Sequence, residues 1–486
     1  MLDIRERSDP TQIAAGLNGA PANDIIDVVV VGAGIAGLTA ALHIQQAGRR
    51  VVVLEASDRI GGAIKTHRSD GFLVECGPNT VLDTHPEIRE LVDAVGLSDQ
   101  QIFASEKAKK RFVVRNGRPI SLPTSPAAFV KTPLFSASAK WRLLGEPFVG
   151  RSDPDSEESV AAFTRRRLGS EFLDYAIDPF VSGVYAGKPD RLSVKSAFPK
   201  LSEVEQRYGS LIVGQVLGAK ERRRRKETSK TTARMFSFAD GMDRLPHAIG
   251  SQLRTAIRLR AGVESIEPGF DAWTVSYRDE LDHAHSVRAH AVLYAGGLQR
   301  PGLLRGLNGD ANLLETVDYP PLAVVALGFR SSDVDHPLDG FGVLAPSVED
   351  RHVLGALFNS TLFDGRAPDD HVLITCFVGG ARAPMLAELP GNEMIERTVH
   401  DLERLLGLSG GPVFSHLSLW PKSIPQYNLG YETVTKHLRE LEGRHPGLCF
   451  AGNYLSGISV AESIKSGKEA AVRTIAFLQN AEKAPR

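Results

Sequence analysis

Four consecutive valines, Val28 to Val31, run directly into Gly32-Ala33-Gly34-Ile35-Ala36-Gly37, and this junction limits the fold more than any other stretch. An unbroken β-branched run reads as a strand buried on both faces, as in the middle of a parallel sheet. Gly32 makes the tight turn out of the strand, and Gly34 lets a phosphate approach the backbone. Gly37 lets the next helix, expected from about Gly37 to Ala47, lie close against the sheet. The start of that helix carries free N–H groups and partial positive charge, which suits a pyrophosphate. The next strand, Val51-Val52-Val53-Leu54, ends at Glu55, where a carboxylate can accept hydrogen bonds from a ribose. The rival reading is a membrane-spanning helix, because Val28 to Leu42 carries no charge. That span is short for a bilayer, and its glycines fall where a helix would have to start.

At 486 residues the chain is too long for one core, so two or three structural units are expected. Lys plus Arg (57) nearly balances Asp plus Glu (58), so no global field favours nucleic acid. Cys76, Cys376 and Cys449 are too few and too far apart for a disulfide framework or a zinc site, and suit a reducing compartment. His283, His285 and His290 cluster in a polar stretch that reads as an exposed hairpin rather than a metal site. Residues 1–24 mix Arg5 and Arg7 with Asp3, Glu6 and Asp9. They lack the apolar core of a secretory signal, are too acidic for a typical transit peptide, and read as a mobile tail. No later stretch is long enough to span a membrane.

Along the chain, Arg59-Ile60-Gly61-Gly62-Ala63 forms a second backbone-rich loop beside the first. Arg59 facing a pyrophosphate is favoured over a solvated arginine at a turn. Phe72 to Cys76 reads as a strand ending in Gly77-Pro78-Asn79-Thr80, with Cys76 a small packing residue. Glu87 to Val95 is an amphipathic helix closed by Gly96, and Arg111 to Pro119 a hairpin with an Asn-Gly turn. Arg111 and Arg115 share one face of it. Pro119 to Gly150 is rich in apolar side chains, including Phe129, Trp141 and Phe148. These line an internal pocket, form a patch that dips into a membrane surface, or pack as core. Helices are expected over Glu158–Leu168 and Glu171–Ile177. The basic run Lys220 to Lys230 reads as a solvated linker ahead of anionic-lipid or nucleic-acid binding, and marks a domain change. Short strands follow over Leu259–Glu264, Trp273–Arg278 and Val287–Tyr294. A second sheet is expected from Ala323–Phe329, Gly342–Leu344, His352–Phe358 and Val372–Phe377, then a helix over Glu393–Leu406. Trp420 to Tyr431 cannot be regular structure. Leu448 to Gly452 is a buried strand, Asn453 to Ser459 a loop, and Val460 to Leu478 a helix whose N-terminus favours negative charge placed against it.

The loop at 59–63 resembles the second half of the FAD fingerprint of the amine oxidase and carotenoid desaturase superfamily. The narrower motifs are CGPNT at 76–80, DPFVSGVYAG at 178–187, FGVL at 341–344, CFVGG at 376–380, IPQYNLG at 424–430 and FAGNYLSGISVAESIKSG at 450–467. With them the chain resembles the oxygen-dependent protoporphyrinogen oxidase family from about residue 25 to its end. One departure is Glu462, where many members carry Asp. The resemblance implies an α/β fold: a Rossmann-like FAD-binding domain built from discontinuous segments, an α+β substrate domain, and a helical membrane-associating domain. The expected division is a tail at 1–24, FAD-binding parts at 25–105, 216–310 and 446–486, the helical part at 106–215, and the substrate domain at 311–445.

The cofactor implied is noncovalent FAD. Its expected contacts are Gly32, Ala33, Gly34, Ile35, Ala36, Gly37, Glu55, Ala56, Arg59, Gly62 and Ala63 around the dinucleotide, with Val263 on the adenine side. Gly77, Pro78, Asn79, Thr80, Trp420, Gly452, Asn453, Ile458, Ser459 and Val460 are expected around the flavin. The expected substrate residues are Arg111 for a propionate, with Arg115 as runner-up, then Phe377, Leu344, Leu357 and Gly187. Without the resemblance the apolar three read as ordinary core. No catalytic side chain and no metal ligand is identified. The implied reaction is three successive two-electron oxidations of protoporphyrinogen IX, each passing a hydride to the flavin, with molecular oxygen yielding hydrogen peroxide. Coproporphyrinogen III oxidation is the near alternative. Amine oxidase, carotenoid desaturase and a non-enzymatic flavin or tetrapyrrole carrier lie further off. The expected location is the cytoplasmic face of the inner membrane, held peripherally. The resemblance leaves room for a homodimer and for product hand-off to a chelatase, and gives no role to nucleic acid.

Overall fold

The computed structural model describes residues 25–215, 217–218, 233–253, 257–298, 300–307 and 311–483. The expected tail at 1–24 and the basic run at 220–230 lie outside them.

The valine run forms the strand Ile26–Val31, in which Val28, Val29 and Val30 are wholly buried. It lies between Val51–Leu54 and Ala284–Tyr294, parallel to both. Ile257–Arg258 extends the sheet beyond Val51–Leu54, and Leu448–Phe450 pairs in parallel with Ala284–Tyr294. The antiparallel strands Trp273–Arg278 and Gly262–Pro268 complete it. One sheet thus draws on N-terminal, middle and C-terminal segments, as the discontinuous arrangement requires. Arg260 takes a left-handed φ of 51°, which splits the expected strand at 259–264 into Ile257–Arg258 and Gly262–Pro268.

The first helix is Ile35–Gln46, starting two residues before the expected Gly37 because Gly34 serves as its N-cap. Gly32 turns with φ 100°, and a Cβ on Gly37 would collide with the Gly32 carbonyl. The final helix, Val460–Lys483, runs longer than expected and crosses the first closely. A Cβ on Gly467 would meet the Ala36 carbonyl.

The second sheet has seven strands in the order Phe414–Trp420, Leu322–Arg330, His371–Gly379, Val353–Phe358, Gly342–Leu344, Phe112–Arg115 and Arg118–Ser121. The helix Gly391–Leu406 covers one face through Met394, Leu402, Leu405 and Leu406, against Val325, Ala356, Ile374 and Cys376. Two sequence expectations change here. The hairpin at 112–121 was grouped with the helical part, but it joins this sheet through parallel pairing of Phe112 with Val343 and Val113 with Leu344. The irregular stretch at 420–431 is bounded by a strand ending on Trp420 and a helix, Tyr431–Arg444, that polar composition concealed.

A helical layer over 126–208 contains Pro126–Lys131, Ala137–Leu144, Val160–Arg167, Asp178–Tyr185 and Pro199–Tyr208. The helix expected at 171–177 continues to Tyr185, through a π turn over Leu173–Ile177 placed just before Pro179, which has no N–H to give. A buried ionic network ties the layer together. Arg167, with no exposed surface, reaches Glu205 Oε1 from Nε at 2.7 Å and Glu146 Oε1 from Nη1 at 3.2 Å. Among the described residues no helix is long and apolar enough to cross a membrane.

Candidate active site

The two glycine loops meet. Gly34 bridges Gly61, Gly61 donates its N–H to the Ala33 carbonyl at 2.8 Å, and a Cβ on Gly62 would stand 3.1 Å from Gly34 Cα. A cleft of about 290 Å³ opens beside them, lined by Gly32, Gly34, Glu55, Ala56, Gly62 and Val263. Tyr294, Gly296, Gly297 and Arg300 also line it, and sequence reasoning did not single these out for binding. The signal was present in the strand-to-Gly-Gly junction at 294–297, which repeats the logic of the first loop. A Cβ on Gly34 would meet nothing within 4 Å, so the backbone there is open to a phosphate. Glu55 takes the Ala33 N–H on Oε2 at 2.7 Å and the Ser57 N–H and hydroxyl on Oε1 at 2.9 and 2.8 Å. Oε2 keeps a second acceptor site. Arg59 is tied to its own loop. Its Nη atoms donate to the carbonyls of Gly62, Ile60 and Ile64 at 2.6, 3.2 and 3.1 Å, so the guanidinium shapes the loop. Ile35 and Ala36 open the first helix, buried in one core with Ala33 and Val460.

Ala63 leads from this cleft to the loop at 77–80, because a Cβ on Gly77 would collide with the Ala63 carbonyl. That loop is held from the second sheet at two points. Trp420 Nε1 donates to the Cys76 carbonyl at 2.7 Å, and Asn359 Nδ2 donates to Asn79 Oδ1 at 2.8 Å. Asn359 was not anticipated, since nothing local distinguishes it. Pro78 and Thr80 stay partly exposed between these clamps. Glu75, just before the loop, is buried and accepts from Thr66 Oγ1 at 2.7 Å and from the Met242 N–H at 2.8 Å. Burial pushes its carboxyl up to about 7 in spite of those bonds. Cys76 is wholly buried with Sγ 3.6 Å from His416 Nε2; burial raises the thiol pKa and lowers that of the imidazole, so both stay neutral and packing is the thiol's role.

Alternation along the strands turns the face of the second sheet opposite the 391–406 helix toward this loop. Register places Val113, Leu344, Gly355, Phe377, Val324 and Ser418 in one row across six strands. The next row runs from Leu357 through Thr375 and Ala326 to His416. Leu344, Leu357 and Phe377 are therefore brought together on one lane, each only partly buried while its strand neighbours are buried. Gly355 between Leu344 and Phe377 forms a low floor.

The lane ends at the arginines. Arg111 lies with its guanidinium 5.3 Å from the Phe341 ring, and Phe341 packs in one cluster with Leu357. Among the described residues no ion pair involves Arg111. Arg115 is committed: it pairs with Glu171 at 2.7 Å, stacks 4.2 Å from the Tyr175 ring and donates to the Leu134 carbonyl. The helix Asp178–Tyr185 roofs the lane, and a Cβ on Gly183 would run into Leu344 Cδ2. Gly187 leaves room for Gln426, whose Nε2 donates to the Tyr185 carbonyl at 2.8 Å. The irregular motif at 424–430 thus works as a brace. Gln426 holds the roof helix, while the Tyr427 hydroxyl donates to the Asn453 carbonyl. Tyr431 and Tyr454 extend it, donating to the carbonyls of Tyr454 at 2.7 Å and Tyr294 at 3.0 Å. Gly452 donates its N–H to Ser466 Oγ at 3.0 Å, and Ser459 Oγ caps the final helix by accepting the Glu462 N–H at 3.2 Å. Ile458 packs on the neighbouring core. Glu462 places Oε1 3.3 Å from His85 Nε2, a contact that its extra methylene relative to Asp allows. His283 and His285 stand exposed on the hairpin at 273–294 beside Asp279, as the sequence suggests.

Comparison with known proteins agrees with this geometry. The profile of the flavin containing amine oxidoreductase family matches residues 35–475. Protoporphyrinogen oxidase 2, chloroplastic/mitochondrial, of Arabidopsis thaliana is 37% identical over 93% of this chain and 94% of that protein. Coproporphyrinogen III oxidase of Bacillus subtilis (strain 168) is 28% identical over 93% of this chain and 98% of that protein. A crystal structure of a protein from Exiguobacterium sp. 255-15 superposes with a TM-score of 0.77 at 23% identity, over 94% of this chain and 99% of that one, which shows the shared fold. The chain belongs to the flavin containing amine oxidoreductase family, is an FAD-dependent oxidoreductase, and within that family is closely related to the protoporphyrinogen oxidases.

Proposed function

We propose that this protein oxidises protoporphyrinogen IX to protoporphyrin IX, with noncovalent FAD and molecular oxygen, and that the lane between Trp420 and Arg111 is the porphyrinogen slot. The observation that carries the choice of substrate is the cation count at its far end. Of the two arginines on that face, Glu171 occupies Arg115, and Arg111 has no carboxylate partner among the described residues. One available guanidinium suits a macrocycle with two propionates better than one with four. Leu344, Leu357 and Phe377 supply the apolar surface that a flat tetrapyrrole needs, and Gly183 and Gly355 give Leu344 the room to lie along it.

The residues at the nucleotide end fit FAD. Gly34 offers open backbone that would take its pyrophosphate, with Gly32 and Gly62 beside it; Glu55 and Val263 would hold the adenosine side, and the 77–80 loop, Trp420 and the 452–460 turn would hold the ring. When bound, FAD supplies the hydride acceptor and passes electrons to oxygen. The protein's own contribution is orientation and exclusion of water. The free N–H groups at Val460 and Ala461 lie at the start of a 24-residue helix, and that end favours negative charge by about 0.3–1 kcal/mol. No side chain in the lane is placed as an obligatory base, so the released protons go to solvent.

The helical layer is proposed to touch a membrane surface. Val130, Trp141, Leu144 and Phe148 are 70%, 73%, 63% and 90% exposed, with Lys131 and Arg142 alongside.

Arg111→Ala tests the assignment of the slot. The account expects the KM for protoporphyrinogen IX to rise roughly 10- to 100-fold, as for loss of a charge-assisted contact of about 1.5–3 kcal/mol, while the flavin spectrum stays unchanged. Unaltered kinetics would remove Arg111 from the slot.

A further inference from the structure

We infer that Asn359 is a positioning residue for the flavin side of the slot, acting through Asn79; this rests on the reading that the 77–80 loop faces the flavin. The two amides form a directed chain. Asn359 Nδ2 donates to Asn79 Oδ1 at 2.8 Å, and Asn79 Nδ2 donates to the Gly77 carbonyl at 3.0 Å. The direction is fixed by chemistry rather than by which amide atom is drawn as oxygen. Turning Asn79 over would set its Oδ1 against the Gly77 carbonyl, two acceptors with no proton between them, and would leave Asn359 facing a donor with a donor. The Gly77 carbonyl therefore sets which way Asn79 faces, and Asn359 holds that amide in place from its other end.

Its surroundings show that the arrangement is not optimised for stability alone. Asn359 is 3% exposed, and its Oδ1 is buried with no partner among the described residues. A side chain kept only for packing would be replaced at no loss by an apolar one of similar size, since an unpartnered buried acceptor is unfavourable. Asn359 stands where the strand Val353–Phe358 gives way to a short helical turn, two residues past Leu357. It thus connects the strand that carries Leu357 to the loop that carries Asn79, and couples the position of the apolar lane to that of the flavin-facing loop.

The test is a double-mutant cycle on the holoenzyme with Asn359→Ala, Asn79→Ala and the double variant. Flavin midpoint potential, visible absorbance, kcat and KM are read beside thermal stability. The expected result is a roughly 10- to 100-fold fall in kcat for each single variant, the scale of a small misplacement, together with a shifted flavin band. In the Asn79→Ala background the second substitution should change neither kcat nor the potential further. Asn359→Asp keeps the shape and removes the donor, and should reproduce the effect if Asn359→Ala does not fold. Additive losses, or an effect confined to thermal stability, would overturn the positioning role. If Asn79→Ala acts and Asn359→Ala and Asn359→Asp do not, Asn359 is dismissed while the loop assignment stands. If Asn79→Ala changes neither spectrum nor kcat, the loop assignment itself fails and the inference falls with it.

Discussion

Trp420 donates its indole N–H to the Cys76 carbonyl at 2.7 Å, joining the edge strand of the second sheet to the loop that follows the strand Phe72–Glu75. This bond is one of the two that set the distance between the two halves of the active site. Trp420→Phe keeps the ring and removes the donor, so a buried carbonyl is left unsatisfied at about 1–3 kcal/mol. We expect FAD affinity to fall about 5- to 100-fold, measured by titrating apoprotein with FAD and following flavin fluorescence. Unchanged affinity would show that the loop holds its place without the clamp.

Gly183 makes room for Leu344 beneath the roof helix. In Gly183→Ala the methyl meets the flexible end of a leucine, so the fold survives and the leucine turns into the slot. KM should rise several-fold, by about 1 kcal/mol of displaced packing, with FAD binding unaffected. Gly183→Ala combined with Leu344→Val should restore much of the loss, because the methyl removed matches the methyl added. Steady-state kinetics on the three proteins decides it.

Much of this site was written locally and much was not. The nucleotide cleft was legible because a strand, three glycines, a helix and a terminal acid are adjacent in sequence, and each has one physical job. The lane was not legible from pattern. Leu344, Gly355 and Phe377 become neighbours only through register across separate strands, and the resemblance, not periodicity, singled out two of them. The hairpin at 112–121 was misgrouped because its sequence neighbours are helical, while its partner strand lies more than two hundred residues away. The part Arg59 plays in shaping its own loop was not legible either. Its three bonds to loop carbonyls depend on a backbone path that composition does not reveal.

Glu75 gives the fold a pH dependence. Burial disfavours the charge and pushes its carboxyl from an ordinary value of 4.5 up to about 7 in the folded protein. A raised folded pKa means its stabilising contribution is complete below the unfolded value and is lost as pH rises through about 7. Glu75→Gln cannot ionise, can still accept from the Met242 N–H and can donate to Thr66. The variant should gain on the wild type as pH rises from about 5 to about 8, by roughly 2–3 kcal/mol at most. Denaturation curves at a series of pH values show it. A difference that stays flat would mean the carboxylate is already ionised and well solvated.

The exposed side chains of the helical layer predict a surface property. Trp141→Ser with Phe148→Ser removes two of the largest exposed apolar groups, each contributing about 1.5–3 kcal/mol if fully buried. Sedimentation with vesicles of mixed zwitterionic and anionic lipid should show clear loss of binding for the double variant, with oxidase turnover in detergent retained. Equal sedimentation of both proteins would place the contact elsewhere.

The most direct measurement follows porphyrin fluorescence and oxygen uptake by the purified holoenzyme in detergent, with protoporphyrinogen IX and coproporphyrinogen III side by side. The account predicts a kcat/KM at least about 10-fold higher for protoporphyrinogen IX, the scale of one unmatched charge pair, with about three oxygens consumed per porphyrin formed. Equal or greater efficiency with coproporphyrinogen III would contradict the claim that a single available arginine sets the substrate.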